Sequence, residues 1–157
     1  MELRSFAIVA LFAGVVLVSL PAAAGTAEQT SVMAAVHQFF NGLNRGDVKT
    51  AVAACASPAA VVDDFPPHTW QGPSACMDWA TAFGASLKQA GDTNPHVALG
   101  TPWRVDVTAD RAYVVIPATF TYKEHGKAMT ESGSSFTAAL HRTAAGWRIT
   151  GWAWSKH

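Results

Sequence analysis

The chain has 157 residues, 11 Lys and Arg against 11 Asp and Glu, and a formal net charge of zero; half of it is apolar and only 14% is charged. No basic run interleaves with aromatic residues, which excludes the electrostatic footprint of a nucleic-acid binder or of a protein held on an anionic membrane surface. Without repeats, low-complexity tracts or long linkers, the composition is that of one compact domain.

Residues 1–27 read as a secretory signal. Arg4 supplies the positive start, residues 6–20 the apolar run, and Pro21-Ala22-Ala23-Ala24-Gly25 the small-residue cleavage zone. Cleavage is expected after Ala24 or Ala27. The apolar run is shorter than the roughly 20 residues of a membrane-spanning helix, although an uncleaved anchor stays open as the alternative. The remainder, 28–157, is expected as a single secreted or periplasmic domain with no membrane contact after cleavage.

Thr30 or Ser31 is placed to cap a helix whose apolar stripe is Val32, Val36, Phe39, Phe40 and Leu43, closed by Gly46. Asp47 caps a second helix carrying Val48, Ala51, Val52 and Cys55, which Ser57-Pro58 stops. A short strand is expected over 59–63, and Phe65-Pro66-Pro67 forces an extended exit from it. Gly72-Pro73 opens a third helix with Cys76, Trp79, Ala80, Phe83 and Leu87 on one face, and Gly91 ends it. Beyond Pro95 the period changes to two, giving four strands near 96–108, 111–124, 127–142 and 147–155. Their short joints suit antiparallel hairpins, and Pro102 and Pro117 within them suggest a sharply curved sheet. The prediction is an α+β domain, a cone-shaped barrel in which three N-terminal helices pack on a strongly curved antiparallel sheet.

Asn44-Arg45-Gly46-Asp47 between two helices and Trp70-Gln71-Gly72-Pro73 before the third resemble the nuclear transport factor 2-like superfamily, with its SnoaL-like and ketosteroid isomerase-like members. The resemblance covers 28–157 and implies that fold, whose members include enzymes and pure binding modules. Gly46-Asp47, the run Ala56-Ser57-Pro58-Ala59-Ala60-Val61-Val62-Asp63 and Gly72 fit the ketosteroid isomerase spacing without a gap. The resemblance thereby puts Asp63 at the catalytic base position. It puts Phe39 where that family keeps its oxyanion-donating tyrosine, and Ala138 or Ala139 where it keeps a protonated aspartate. Both donors to a dienolate are missing, so the fold carries over and the usual steroid reaction does not.

Asp63 and Asp64 are consecutive, so on a strand they point to opposite faces, and the register above turns Asp63 into the cone. There, desolvation would raise its pKa and suit acid or base catalysis; the alternative is a carboxylate bonded to amides of the proline turn. His68 is either a proton shuttle beside Asp63 or a solvated loop residue. Trp70 is a ligand platform or a plug for its loop, and Asp64, Phe39, Trp103, Tyr122 and Trp154 complete the candidate ligand contacts, with core packing the competing role for the aromatic residues. No metal is expected, since the ligands would have to come from one short loop with diverging carboxylates, and no cofactor, since nucleotide and serine-nucleophile motifs are absent.

Cys55 and Cys76 are the only cysteines of a chain expected in an oxidising compartment, and are predicted to form a disulfide. Trp147, Ile149 and Ala153 alternate with Arg148, Thr150, Trp152 and Trp154 along the last strand, unless a bulge changes the parity. Related folds commonly pair through the outer sheet face, so Trp152, Trp154 and Arg148 there would make a homodimer interface. The function expected is binding of a hydrophobic small molecule in an apolar cone, with isomerase-, cyclase- or dehydratase-type chemistry at Asp63. A non-catalytic ligand-binding or dimerising module is the alternative.

Overall fold

The computed structural model describes residues 22–156. The expected leader lies outside the described residues as far as residue 21. Helix α1 runs over Ala22–Asn44, longer than expected because the alanine-rich stretch before Thr30 favours helix. Thr30 and Ser31 therefore lie within it rather than capping it, and their hydroxyls donate to the carbonyls of Thr26 and Ala27 at 2.8 and 3.1 Å. Glu28 pairs with Arg142, and Gln29 Nε2 donates to the Val105 carbonyl at 2.8 Å. Val32, Val36, Phe39 and Phe40 form the buried stripe.

The Asn-Arg-Gly-Asp sequence turns the chain sharply. Gly46 takes a φ of 70°, and Asp47 Oδ1 accepts from Thr50 N at 3.0 Å to cap α2 (Val48–Val52). Asn44 acts as a surrogate strand partner: its side chain donates to Val97 O and accepts from Val97 N, both at 2.8 Å. At Gly42 the two helices touch so closely that an added Cβ would stand 2.5 Å from Ala51 N.

Helix α2 stops short of Cys55, which begins β1 (Cys55–Val62). Backbone pairing overrides the helical pattern here, since β1 lies parallel to β7 (Gly146–Ser155) and Ile149 N donates to Ala54 O at 2.9 Å. Pro58 did not end a helix; with a cis peptide bond before it, it sits where the β1–β7 register slips between Cys55 and Ala60. A strand not expected from sequence, β2 (Thr69–Gly72), returns antiparallel to β1, so the two prolines shape a hairpin rather than an extended exit. Helix α3 (Ala75–Ala90) starts two residues after Pro73 and ends at Gly91, whose φ of 76° forms the left-handed cap.

The strand expected over 96–108 is two strands. β3 (Asp92–Leu99) and β4 (Arg104–Thr108) pair in turn with the same edge of β5 (Arg111–Glu124). Pro117 explains the break: it has no N–H to offer and lies between Val115, which pairs with β4, and Ala118, which pairs with β3. Strand β6 (Lys127–Thr143) lies between β5 and β7, giving the order β2-β1-β7-β6-β5-β3 with β4 also on β5. This is the α+β cone expected, except that its sheet is open, with β2 at one edge and β3 and β4 at the other, and its β1–β7 pairing is parallel.

In β7 the pairing jumps from Leu140–Ile149 to Ala139–Gly151, leaving Thr150 as a bulge. The parity therefore changes, and Trp147, Ile149 and Trp152 are all buried. Trp152 and Trp154 are thus removed from the outer face on which a pairing surface was expected. Among the described residues no helix is long and apolar enough to cross a membrane.

Cys55 and Cys76 form a disulfide with Cα atoms 6.6 Å apart, joining the start of β1 to α3 rather than two helices. It closes a loop 21 residues in sequence. Replacing both cysteines by serine should cost about 3 kcal/mol, read as a lowered urea midpoint. Gly42→Ala should cost about 1–3 kcal/mol, because the atom it meets belongs to backbone.

Candidate functional site

A cavity of about 360 Å³ lies between α1, α3 and the concave side of the sheet. Its inner wall is aromatic because Phe39 and Phe40 from α1, Trp79 from α3, and Trp152 and Trp154 from β7 converge there. Trp79 and Trp152 meet edge to face with ring centroids 4.7 Å apart, and Phe39 lies 5.6 Å from Trp152.

The polar groups sit at one end of this wall. Asp63 follows the last residue of β1 and is 8% exposed. Its Oδ2 accepts from Trp79 Nε1 at 2.7 Å and its Oδ1 from Asp64 N at 2.7 Å. Burial, helped by hydrogen bonding with the Asp64 carboxylate, pushes the Asp63 carboxyl up to about 7, although the indole bond favours its charged form. Burial also opposes the charge on Asp64, but the Lys156 ammonium, 2.8 Å from Asp64 Oδ2, outweighs it and holds Asp64 below the ordinary carboxylate range. Lys156 reaches Glu131 Oε2 as well, at 2.6 Å, and despite burial these two partners push it up to about 12. Tyr122 OH donates to Glu131 Oε1 at 3.1 Å; burial and then that carboxylate raise its pKa.

Asp63, Asp64, Phe39, Tyr122 and Trp154 therefore all line one cavity. Asp64 is not turned away from it, because strand alternation ends at Val62 and both aspartates belong to the following turn. Nor is the site free of basic groups, given Lys156. His68 does not line the cavity; it is exposed, with a φ of 70°, and its Nδ1 lies 3.1 Å from the backbone oxygen of Asp63, not the carboxylate. Trp70 is buried on β2 against Phe65 at 5.1 Å, outside the cavity lining. Trp103 is 63% exposed, in the break between β3 and β4. In the ketosteroid isomerase register, Phe39 presents a bare ring to the cavity and Ala138 is buried without a polar group.

Sequence reasoning missed Lys156, Glu131, Asp92 and His96 as lining residues, and Trp79 as the donor to Asp63. Only Lys156 had a usable signal, since correcting the parity of β7 by one residue puts 152, 154 and 156 on the same side. Among the described residues no group of three His, Cys, Asp or Glu is arranged to hold a metal ion.

The family model for the SnoaL-like domain matches residues 11–153. The chain belongs to the SnoaL-like domain family. Solved structures similar to this SnoaL-like domain include a protein of unknown function from Mycobacterium tuberculosis, 15% identical, with a TM-score of 0.72 over 87% of this chain and 76% of that one. A nuclear transport factor 2-like protein with a cystatin-like fold from Novosphingobium aromaticivorans is 16% identical, with a TM-score of 0.68 over 82% and 81%. A ketosteroid isomerase-like protein from Erwinia carotovora atroseptica is 17% identical, with a TM-score of 0.64 over 82% and 95%. Likeness at these identities is likeness of fold. No curated protein matches the chain.

Within this SnoaL-like domain, two adjacent carboxyls have been driven apart in proton affinity, one holding its proton near neutrality and the other losing it early. Such a pair can supply an acid and a base at one end of an apolar cavity. It also has a stability signature. Below pH 3.8 Asp63 is protonated in folded and unfolded chains alike; between 3.8 and about 7 the unfolded chain releases a proton that the folded one keeps. The burial of Asp63 is thus tolerated at low pH and destabilising above about 7. Asp63→Asn should gain on the parent by roughly 2–4 kcal/mol between about pH 4 and 8, measured by urea unfolding across that range. A difference that stays flat with pH would refute this reading.

Proposed function

We propose that this SnoaL-like domain is an exported protein, secreted or periplasmic, that binds a hydrophobic small molecule in the aromatic cavity and performs acid–base chemistry on it through Asp63. The observation that carries the reading is a buried carboxyl, its proton held to about pH 7, at the end of an aromatic wall. A general acid or base works best with a pKa near the working pH. Isomerase, cyclase and dehydratase reactions all need a proton moved at one carbon or oxygen of an apolar substrate. Phe39 and Ala138 offer no donor for an oxyanion, which favours an acid role in which Asp63 protonates the oxygen that gains charge. Asp64, kept ionised by Lys156, adds to burial in keeping the Asp63 proton in place.

Phe39 and Ala138 also support a second reading, a non-catalytic ligand-binding or dimerising module, since neither supplies a donor where the ketosteroid isomerase register would put one. Mass spectrometry of ligands retained by the purified parent and by Asp63→Asn separates the two. A pair of ligands differing by one water means dehydration, equal masses with different retention mean isomerisation or cyclisation, and the same molecule in both means binding alone. The variant should retain the substrate and lower turnover by at least about a hundredfold, the lower range for a removed acid or base.

The homodimer belongs to this reading through the outer sheet face, with other residues in place of Trp152 and Trp154. Val62 and Tyr113, 48% and 43% exposed, lie on the outer sheet face with the half-buried Val115 and Ala153. Such a patch suits pairing between copies. Light scattering should give twice the chain mass for the parent and a single mass for Val62→Lys; a monomeric parent would refute the pairing.

A further inference from the structure

We propose that the molecule this cavity accepts is a hydrophobic cation, an amine-bearing compound whose ammonium group rests among the carboxylates while its apolar body lies on the aromatic wall. The inference rests on the reading of the cavity as the ligand site and deepens it by naming the charge of the ligand.

The charges lining the cavity are unequal. Asp64, Asp92 and Glu131 are set against one ammonium, Lys156, and Asp63 joins them only once it is ionised, above about pH 7; His96 is the remaining titratable side chain besides Tyr122. Lys156 is already engaged by Asp64 at 2.8 Å and Glu131 at 2.6 Å, so it is not a ready counter-ion for an incoming acid. An anionic ligand would add a further negative charge to the cluster, where a low local dielectric makes repulsion more costly than in water.

Apart from Glu131 Oε2, which pairs with the Lys156 ammonium, two buried polar atoms on the lining lack a hydrogen-bond partner among the described residues. One is Asp92 Oδ1, an acceptor that an ammonium N–H would satisfy. The other is Nε1 of Trp152, a side chain only 5% exposed, whose donor suits a ligand oxygen. A buried polar group without a partner is unfavourable, and a ligand carrying both groups would relieve the two together. Tyr122 reports the same negative surroundings: after burial, the charges of Glu131, Asp92 and Glu124 keep its hydroxyl protonated.

The apolar wall suits a cation too. The faces of Trp79, Trp152 and Trp154 carry negative potential, and a cation within about 6 Å of a ring centroid is attracted to it, most strongly when water is excluded. Carboxylates at one end and indole faces along the side therefore discriminate in the same direction. A neutral ligand without an N–H or O–H donor would use the wall and leave Asp92 Oδ1 unpaired.

Calorimetric titration of the mature protein at about pH 8, where Asp63 is ionised, with naphthylmethylamine, naphthylmethanol and naphthoate tests the charge at constant shape. The amine should bind at least about tenfold more tightly than the alcohol, and naphthoate most weakly. Asp92→Asn should reduce the preference for amine over alcohol several-fold, and a preference unchanged by that substitution overturns the assignment of the ammonium to Asp92. Equal affinity for amine and alcohol, or tightest binding of naphthoate, overturns the cation proposal but leaves a hydrophobic ligand site standing. If none of the three binds to the parent, the cavity reading falls and the proposal falls with it.

Discussion

Thr150 has no residue opposite it in the register between β6 and β7, because Leu140 pairs with Ile149 and Ala139 with Gly151. Strand β7 thereby advances one residue more than β6, and every side chain after Thr150 changes face. Without that extra residue, Ile149 and Trp147 would face the core while Trp152 and Trp154 stood in solvent. With it, two indoles join Phe39 and Phe40 on the inner side, and the next residue of the same parity, Lys156, arrives at the acidic end of the cavity. The aromatic wall and its cation follow from one bulge.

The acidic end depends on where β1 stops. β1 is held by β7 on one side and β2 on the other, and the cis-proline hairpin between β1 and β2 begins at Asp63. Asp63 N donates to His68 O at 3.0 Å, which fixes the backbone of the first aspartate and lets the second amide reach back to its carboxylate. The indole N–H of Trp79 supplies the remaining bond from α3. Two hydrogen bonds keep a buried carboxyl tolerable, and desolvation keeps it protonated. Asp64, one residue further along and beside Lys156, meets the opposite balance. Adjacent side chains thus titrate differently because one is surrounded by rings and the other by an ammonium.

Helix α3 must stay in place for this to work, since it carries Trp79. The Cys55–Cys76 disulfide fastens its first turn to β1, and Gly91 ends it as the chain enters β3. At the other side, Asn44 ties the end of α1 to the backbone of Val97. The two walls of the cavity are therefore each anchored to the sheet by a bond near the site, one covalent and one a paired hydrogen bond.

The local signals in the sequence carried the fold. Apolar stripes at helical spacing in α1 and α3, the Asp47 cap, the Gly91 stop and the short joints before β5, β6 and β7 depend on neighbours within a few residues, and so they could be read in order. The position of Asp63 after an apolar strand also lay in the sequence, as did the cysteine pair. What the tertiary structure decided depends on partners far along the chain. Pairing with β7 turned Cys55 into a strand residue, pairing with β1 made Trp70 a strand residue, and the register slip at Thr150 reversed the faces of Trp152 and Trp154. Glu131, Asp92 and Lys156 gather at one end of the cavity although tens of residues separate them from Asp63. A strand's inward face is set by the register of its ladder, and that register is a property of two strands together.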